Sequence, residues 1–556
     1  MIYKPLPIGV ENFEKMIKSG YYYVDKTLFI KELIDKKSEI NLFTRPRRFG
    51  KSLSLSMIKY FFEKSEKDTR CLFDGLNIMS QGDKYTSEMN KYPVISITLK
   101  DIETPKYEQS FRMLREELIR QFEKHSYLLK SDKISDRQKM IYKDILYATS
   151  ADESYPGSLR FLSECLELHH SEKVIIMIDE YDVPLERTYW GGYYNEMVDI
   201  IRKLFHTTLK TNDSLYFAVI TGCLRVSKES IFTGFNNPKI ITVISDAYGE
   251  YFGFTEEEVT KAFEFYRLGH KLSEARAWYN GYIFGKTNVY NPWSILNFLF
   301  DSYDNEPWFP RPYWVNTSSN NIIREFIEIA DSDTRDEIEA LIRGESITKP
   351  IHEDVVYSEI KKEMDNLWNF LFFTGYLKKA GEYLDEDQVY FNLVIPNIEV
   401  LTIYKRKIRE WFEDNIKTAD LNKMYNAILD SNAQVFEEEL SEVLADSISY
   451  FDSHENFYHG FLAGTLTRMK GYKVKSNRES GNGRADIFLL PVSMKKTAVI
   501  FEIKPAKAFT DLEKKCIEAL KQIDEKKYAQ ELRQEGYSNV LTYGVAFYRK
   551  DCMVRC

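Results

Sequence analysis

Long apolar runs are missing from this chain of 556 residues. None approaches the ~20 residues that cross a bilayer as a helix, so no membrane partner is expected. The N-terminal Met-Ile-Tyr-Lys-Pro has no signal-peptide apolar core, and the expected location is the cytoplasm. Cysteine is scarce: Cys71, Cys165, Cys223, Cys516, Cys552 and Cys556 stand apart without metal-ligand spacing and are read as reduced and structural. Proline is sparse at 16 residues while aromatics reach 15%, which argues against extended disorder. A net charge of −9 excludes a surface coated throughout in nucleic-acid-binding charge.

Residues 40–52, Ile-Asn-Leu-Phe-Thr-Arg-Pro-Arg-Arg-Phe-Gly-Lys-Ser, read as an apolar strand entering a loop that ends in Gly50-Lys51-Ser52, with a helical pattern beyond. Strand, loop and helix N-terminus in that order build a phosphate cradle, because backbone N–H groups, the helix dipole and a Lys ammonium converge on one anion. Lys51 is expected on the β- and γ-phosphates of ATP and Ser52 on Mg²⁺. The usual spacing wants Gly where Arg45 stands. Arg45, Arg47 and Arg48 bring three guanidinium groups to the loop, and Phe49 and Gly50 complete the expected cofactor-binding stretch. Phosphates are the simpler counter-charge, partner carboxylates the other.

Downstream, Val174-Ile175-Ile176-Met177-Ile178-Asp179-Glu180 puts two carboxylates at the end of an apolar run. That is a strand buried on both faces of a parallel sheet, with charge appearing at the C-terminal edge, where such sheets bind ligands. Asp179 is expected to hold Mg²⁺ and Glu180 to orient or deprotonate the attacking water. Alone, the segment reads first as an ordinary core strand closed by solvated acids; the loop at 44–52 tips the balance to a nucleotide site. Further strands are expected at 92–99 and 215–220, with helices at 103–130, 134–149 and 195–210 between them, the pattern of a parallel sheet with crossover helices. Thr221, at a strand tip, is placed to sense the γ-phosphate or the water. Arg225 reads either as a surface residue or as a finger reaching nucleotide charge in its own or a neighbouring subunit, and the second use in trans implies a homo-oligomer.

A chain of this length implies about three domains. Charge is unevenly spread: residues 454–556 hold 19 Lys and Arg against 12 Asp and Glu, a surplus of 7 positive charges that leaves −16 on the remainder. A basic C-terminal module suits a phosphate-backbone partner, although alternating Lys and Glu on helix surfaces would also serve solubility.

Phe13 with Tyr22-Tyr23-Val24-Asp25-Lys26-Thr27, the Arg-Pro-Arg-Arg-Phe-Gly-Lys-Ser loop, and Trp278-Tyr279-Asn280-Gly281-Tyr282 with Val289-Tyr290-Asn291-Pro292-Trp293-Ser294 resemble the AAA-ATPase-like proteins that carry a C-terminal PD-(D/E)XK nuclease-like domain. Arg45 departs from the general phosphate-loop pattern but not from theirs. The resemblance implies an α/β multidomain protein: a P-loop NTPase parallel sheet (1–250), a helical lid with a winged-helix-like unit (251–450) and an α/β restriction-endonuclease-like domain (451–556). Within the lid, the helical pattern at 365–377 followed by strands at 383–384 and 389–394 reads as helix plus hairpin, few Arg or Lys favouring packing over DNA binding. Tyr279, Gly281, Asn291 and Trp293 are candidate lid residues near nucleotide, or core packing.

In the C-terminal part, strands at 484–490 and 498–504 let Asp486 and Glu502 converge. Two carboxylates at one point hold Mg²⁺ or Mn²⁺, and Glu502-x-Lys504 sends both side chains to one strand face, Lys504 orienting the nucleophile. Glu455 is a further candidate metal ligand, and Gln522, on a helix where such nuclease folds place a polar active-site residue, a candidate catalytic group. A salt-bridged pair between buried strands would look the same. Two functions follow: an ATP- and Mg²⁺-dependent nuclease acting on nucleic acid, by preference DNA, or an ATP-controlled switch whose C-terminal domain binds nucleic acid without cutting it.

Overall fold

In the computed structural model the first strand, β1 (Ile40–Thr44), is buried at every position and leads through the loop into the helix Lys51–Phe62. β2 (Val94–Thr98), β3 (Val174–Asp179), β4 (Leu215–Gly222) and β5 (Lys239–Ile241) complete a sheet of order β2-β3-β4-β1-β5, parallel throughout. β3 is fully buried along its length, as an unbroken Val/Ile/Met run requires of a strand covered on both faces. One strand, β4, separates the acidic strand from the phosphate-loop strand, so the tips of β1, β4 and β3 lie side by side. The structure describes residues 4–102, 104–210, 212–225, 231, 238–304, 308–314, 321–353, 364–386, 388–418, 420–445, 455–480, 483–548 and 551–556.

Between β2 and β3 the chain forms the helices Tyr107–Lys124, Asp136–Leu146 and Ser158–His170, shorter and one more in number than the sequence pattern indicates. The third follows the Pro156-Gly157 break, and Asp136–Leu146 opens with a Ser135/Gln138 capping box. Residues 21–26 have no regular structure, although the aromatic, β-branched Tyr21-Tyr22-Tyr23-Val24 reads as a strand. Tyr22, Tyr23, Val24 and Lys26 line a cavity instead of forming a strand.

The chain forms two compact units: Met1–Ser319 with Ser346–Ile403, and Asn320–Glu345 with Tyr404–Cys556. Besides the sheet, the first unit holds the hairpin β6 (Tyr282–Phe284) and β7 (Thr287–Val289), and a three-stranded antiparallel sheet of β8 (Ile347–Pro350), β9 (Lys378–Asp385) and β10 (Gln388–Val394). The helix Met364–Phe373 ends at Gly375, and Val389 stands opposite Leu384 across the β9–β10 turn.

The second unit is built on a five-stranded sheet, β11 (Tyr472–Ser480), β12 (Gly483–Pro491), β13 (Ala498–Pro505), β14 (Val540–Tyr548) and β15 (Asp551–Arg555), in that order. Only β13 and β14 are parallel, joined by the helices Leu512–Glu525 and Tyr528–Gln534. Phe501, Ile503, Val545 and Phe547 pack one face against Tyr458 and Leu462 of the helix Glu455–Leu466. Phe488, Ile500, Ile523 and Tyr528 fill the other. Among the described residues no helix is long and apolar enough to cross a membrane.

Candidate functional site

Gly50 caps the helix Lys51–Phe62 at φ +85°, a left-handed conformation that glycine adopts without strain. The first turn of this helix therefore presents its unpaired N–H groups and positive dipole end to the loop above β1. Lys51 is only 4% exposed, and its Nζ donates to the carbonyl oxygens of Arg45 at 3.0 Å and Pro46 at 3.1 Å. Burial works against its charge, but Cys223, Glu180, Asp182 and Asp179 outweigh burial and hold its pKa above the ordinary lysine value. Ser52 Oγ donates to Asp179 Oδ2 at 2.6 Å, and Thr221 Oγ1 donates to Asp179 Oδ1 at 2.5 Å. Three segments far apart in sequence thus meet on one carboxylate. Glu180 follows at φ +51°, its carboxyl pushed up by burial against the opposing pull of Lys51.

A cavity of about 440 Å³ opens above these groups. Its lining combines Arg47, Arg48, Gly50, Lys51, Ser52 and Glu180 with the apolar and aromatic Val10, Tyr22, Pro292, Trp293 and Leu296. A lining of cationic and polar groups together with apolar and aromatic ones has the size and character to take a nucleoside phosphate.

The loop arginines separate into different roles. Arg47 pairs with Glu186 at 2.7 Å, and Arg48, at φ +70°, lies over the Trp293 ring at 4.4 Å. Arg45 does not face the cavity, contrary to its expected place among the cofactor-binding residues. Its guanidinium is 0% exposed, donates to the Thr44 and Ile241 carbonyls, and lies against the Phe252 and Phe284 rings at 5.3 and 4.8 Å. Burial lowers its pKa to about 9. It pins the loop to β5 and to the aromatic layer behind it. Phe49 lines the cavity while its ring packs on Tyr282 and Phe284. Arg225 is drawn to Glu353 of its own chain at 3.8 Å.

Sequence reasoning missed Asp182. It is 1% exposed, and its Oδ2 accepts the backbone N–H groups of Cys223 and Leu224 at 2.8 and 2.9 Å. Burial raises its pKa to about 6. Its position before Val183-Pro184 looks like an ordinary helix N-cap, yet it makes no capping bond to that helix. A third acid three residues past Asp179 was the available signal.

In the second unit, Asp486 and Glu502 lie on the paired strands β12 and β13. Glu502 is 1% exposed; its Oε1 accepts from Lys504 Nζ at 3.0 Å and from Gln522 Nε2, while Oε2 is buried with no partner. Burial and the Asp486 charge raise its pKa to about 7, against the pull of Lys504. Asp486 Oδ2 accepts from Ile503 N at 2.8 Å, and the Asp486 carbonyl takes a hydrogen bond from His459. The structure therefore brings Asp486, Glu502, Lys504 and Gln522 to one place. Glu455 begins a helix, but its side chain, like that of Arg484, lies outside the described residues. Among the described residues no group of three His, Cys, Asp or Glu side chains forms a complete metal cage. An orphaned, buried carboxylate oxygen beside a second carboxylate nevertheless fits a hard divalent cation.

Residues 7–232 match a family model described as a predicted AAA-ATPase, and residues 453–555 match the PD-(D/E)XK nuclease superfamily. An uncharacterized protein from the vnfD 5′ region of Azotobacter chroococcum mcd 1 is 31% identical over 329 residues, which span 58% of this chain and 56% of that protein. The match thus covers little more than half of that relative's length. A Walker-type ATPase of Pyrococcus abyssi superposes at a TM-score of 0.38 with 14% identity, covering 73% of this chain and 99% of that one.

Proposed function

We propose, for a chain that joins an AAA-ATPase-like domain (7–232) to a PD-(D/E)XK nuclease superfamily domain (453–555), that it binds and hydrolyses ATP and couples this to a metal-dependent nuclease-like site acting on nucleic acid, by preference DNA. The division of labour is an ATPase part at 1–250, a lid at 251–450 and a nuclease-like part at 451–556. The convergence of Ser52 and Thr221 on Asp179, beside Lys51 at a helix N-terminus, carries the reading.

In the ATPase site, the first-turn N–H groups and Lys51 bind and orient the β- and γ-phosphates. Thr221 and Glu180 position the attacking water, and Glu180, its carboxyl raised by burial, accepts the proton. Tyr22 and Trp293 in the cavity wall shelter the base. In the second unit Glu502 and Asp486 hold the phosphodiester site in register, and Lys504 orients the nucleophile against the developing negative charge. Ser52 with Asp179, and Asp486 with Glu502, would hold divalent cations, which when bound neutralise phosphate charge and activate water.

The test is phosphate release from ATP by the parent protein and by Lys51→Ala, together with incubation of plasmid, linear duplex, single strands and RNA with Mg²⁺ or Mn²⁺. Loss of turnover in Lys51→Ala and loss of cutting in Asp486→Ala with Glu502→Ala supports the enzyme. The second reading, a switch that binds nucleic acid uncut, is favoured by the two-carboxylate set and by Glu502 lying within hydrogen bonds to Lys504 and Gln522. Binding without cutting under any metal selects it.

A further inference from the structure

We propose that Asp182 is a positioning residue that locks the turn after β4 onto the acidic corner after β3, so that phosphate sensing at Thr221 and water activation at Glu180 work as one rigid unit; this rests on the ATPase reading above.

The turn Thr221–Leu224 is held along its length by residues 179–182. Thr221 Oγ1 donates to Asp179, Tyr181 N donates to the Thr221 carbonyl at 3.0 Å, and Tyr181 Oη donates to the Leu224 carbonyl at 2.6 Å. Asp182 takes the two remaining N–H groups, those of Cys223 and Leu224, on a single oxygen. Its other oxygen, Oδ1, is buried without a partner and would sit 2.7 Å from a Cβ added at Gly222. Gly222 is therefore obligatory: a side chain there would collide with the Tyr181 ring as well, at 2.6 Å. The same turn touches the phosphate loop twice, through Arg45 N donating to the Gly222 carbonyl at 3.0 Å and through Cys223 Sγ at 3.6 Å from Lys51 Nζ.

A buried carboxylate with one oxygen unsatisfied is costly, and here it is held where it fixes the geometry between three reacting segments. A turn that shifts would move Thr221 and Cys223 relative to Lys51 and Glu180 while leaving the helix N-terminus and the aromatic lining at Tyr22 and Trp293 unchanged. Loss of the anchor should then lower the rate of the chemical step more than the binding of ATP.

The experiment measures steady-state ATP hydrolysis by the parent, Lys51→Ala, Asp182→Ala, Asp182→Asn and Tyr181→Phe. Asp182→Ala is expected to lose about 10-fold or more in kcat with KM for ATP held within about 3-fold. Asp182→Asn, which keeps an oxygen for both N–H groups, is expected within about 3-fold of the parent in kcat. Parent-like kcat in Asp182→Ala, a rise in KM alone, or an equal loss in Asp182→Asn overturns the assignment. Should Asp182→Ala not fold, Tyr181→Phe decides: a kcat loss at unchanged KM supports the anchor, and parent kinetics overturns it. A parent protein without Lys51-dependent turnover overturns the ATPase reading as well, whereas Lys51-dependent turnover that survives Asp182→Ala overturns this inference alone.

Discussion

Glu180 stands one residue beyond a fully buried strand, at φ +51°, where a non-glycine residue is strained by about 1 kcal/mol. That conformation turns its carboxylate into the cavity beside Lys51 and Ser52. Glu180→Gln keeps the shape but cannot take a proton. It should retain ATP binding within about 3-fold and lose about 100-fold in turnover, read by nucleotide titration and phosphate release. Glu399 offers a second residue-scale prediction. It is fully buried, accepts from Ser294 Oγ at 2.8 Å and Trp314 N at 2.9 Å, and burial raises its pKa to about 7. A carboxyl raised on folding stabilises the protein below its unfolded pKa, and that contribution is lost as pH climbs toward 7. Glu399→Gln should flatten the fall in Tm between about pH 4.5 and 7, a difference of about 3 kcal/mol at the upper end. Lys51, Ser52, Asp179 and Thr221 were legible because each lies at the end of a strand or the start of a helix, where topology alone fixes its neighbours. Arg45 was not. Its direction is set by Phe252 and Phe284, some two hundred residues away, and a local pattern records only its charge.

Among elements, β3 and β13 were the most readable, since an unbroken apolar run ending in charge has few other uses. Residues 21–24 were the least readable: Tyr and Val prefer strands, but the half-buried Tyr22, Tyr23 and Val24 line a cavity, and tertiary context overrode propensity. The β9–β10 hairpin followed from its acidic turn, whereas β8 as its third strand could not be foreseen from a four-residue segment. The crowding at the end of β4 gives a prediction about the element itself. Gly222→Ala should lower stability by about 1–3 kcal/mol, measured by thermal or denaturant unfolding, because both nearby groups are buried and cannot retreat.

At the scale of the whole molecule, the two candidate sites belong to different compact units. ATP with Mg²⁺ should raise the unfolding midpoint of the parent protein, an effect that EDTA and Lys51→Ala remove, because only a ligand bound to the folded state stabilises it. The Asp486→Ala, Glu502→Ala double variant should keep that shift. If it does not, the nucleotide cavity is not where the nucleotide binds. Length pointed to about three domains, and the chain forms two compact units. The partition itself was hidden, because the stretch 320–345 has the same amphipathic look as its neighbours. In the fold Arg324 reaches Asp414 at 2.9 Å and Arg335 covers the Trp411 ring, so that stretch joins the chain's last third.

The backbone therefore passes between the units three times, after residues 319, 345 and 403. A gene fragment starting at codon 404 would encode the second unit stripped of its own helices Asn321–Ile329 and Ser332–Ile342. The second unit is therefore not one contiguous stretch of chain, although the segment matching the nuclease superfamily, 453–555, lies wholly within its last part.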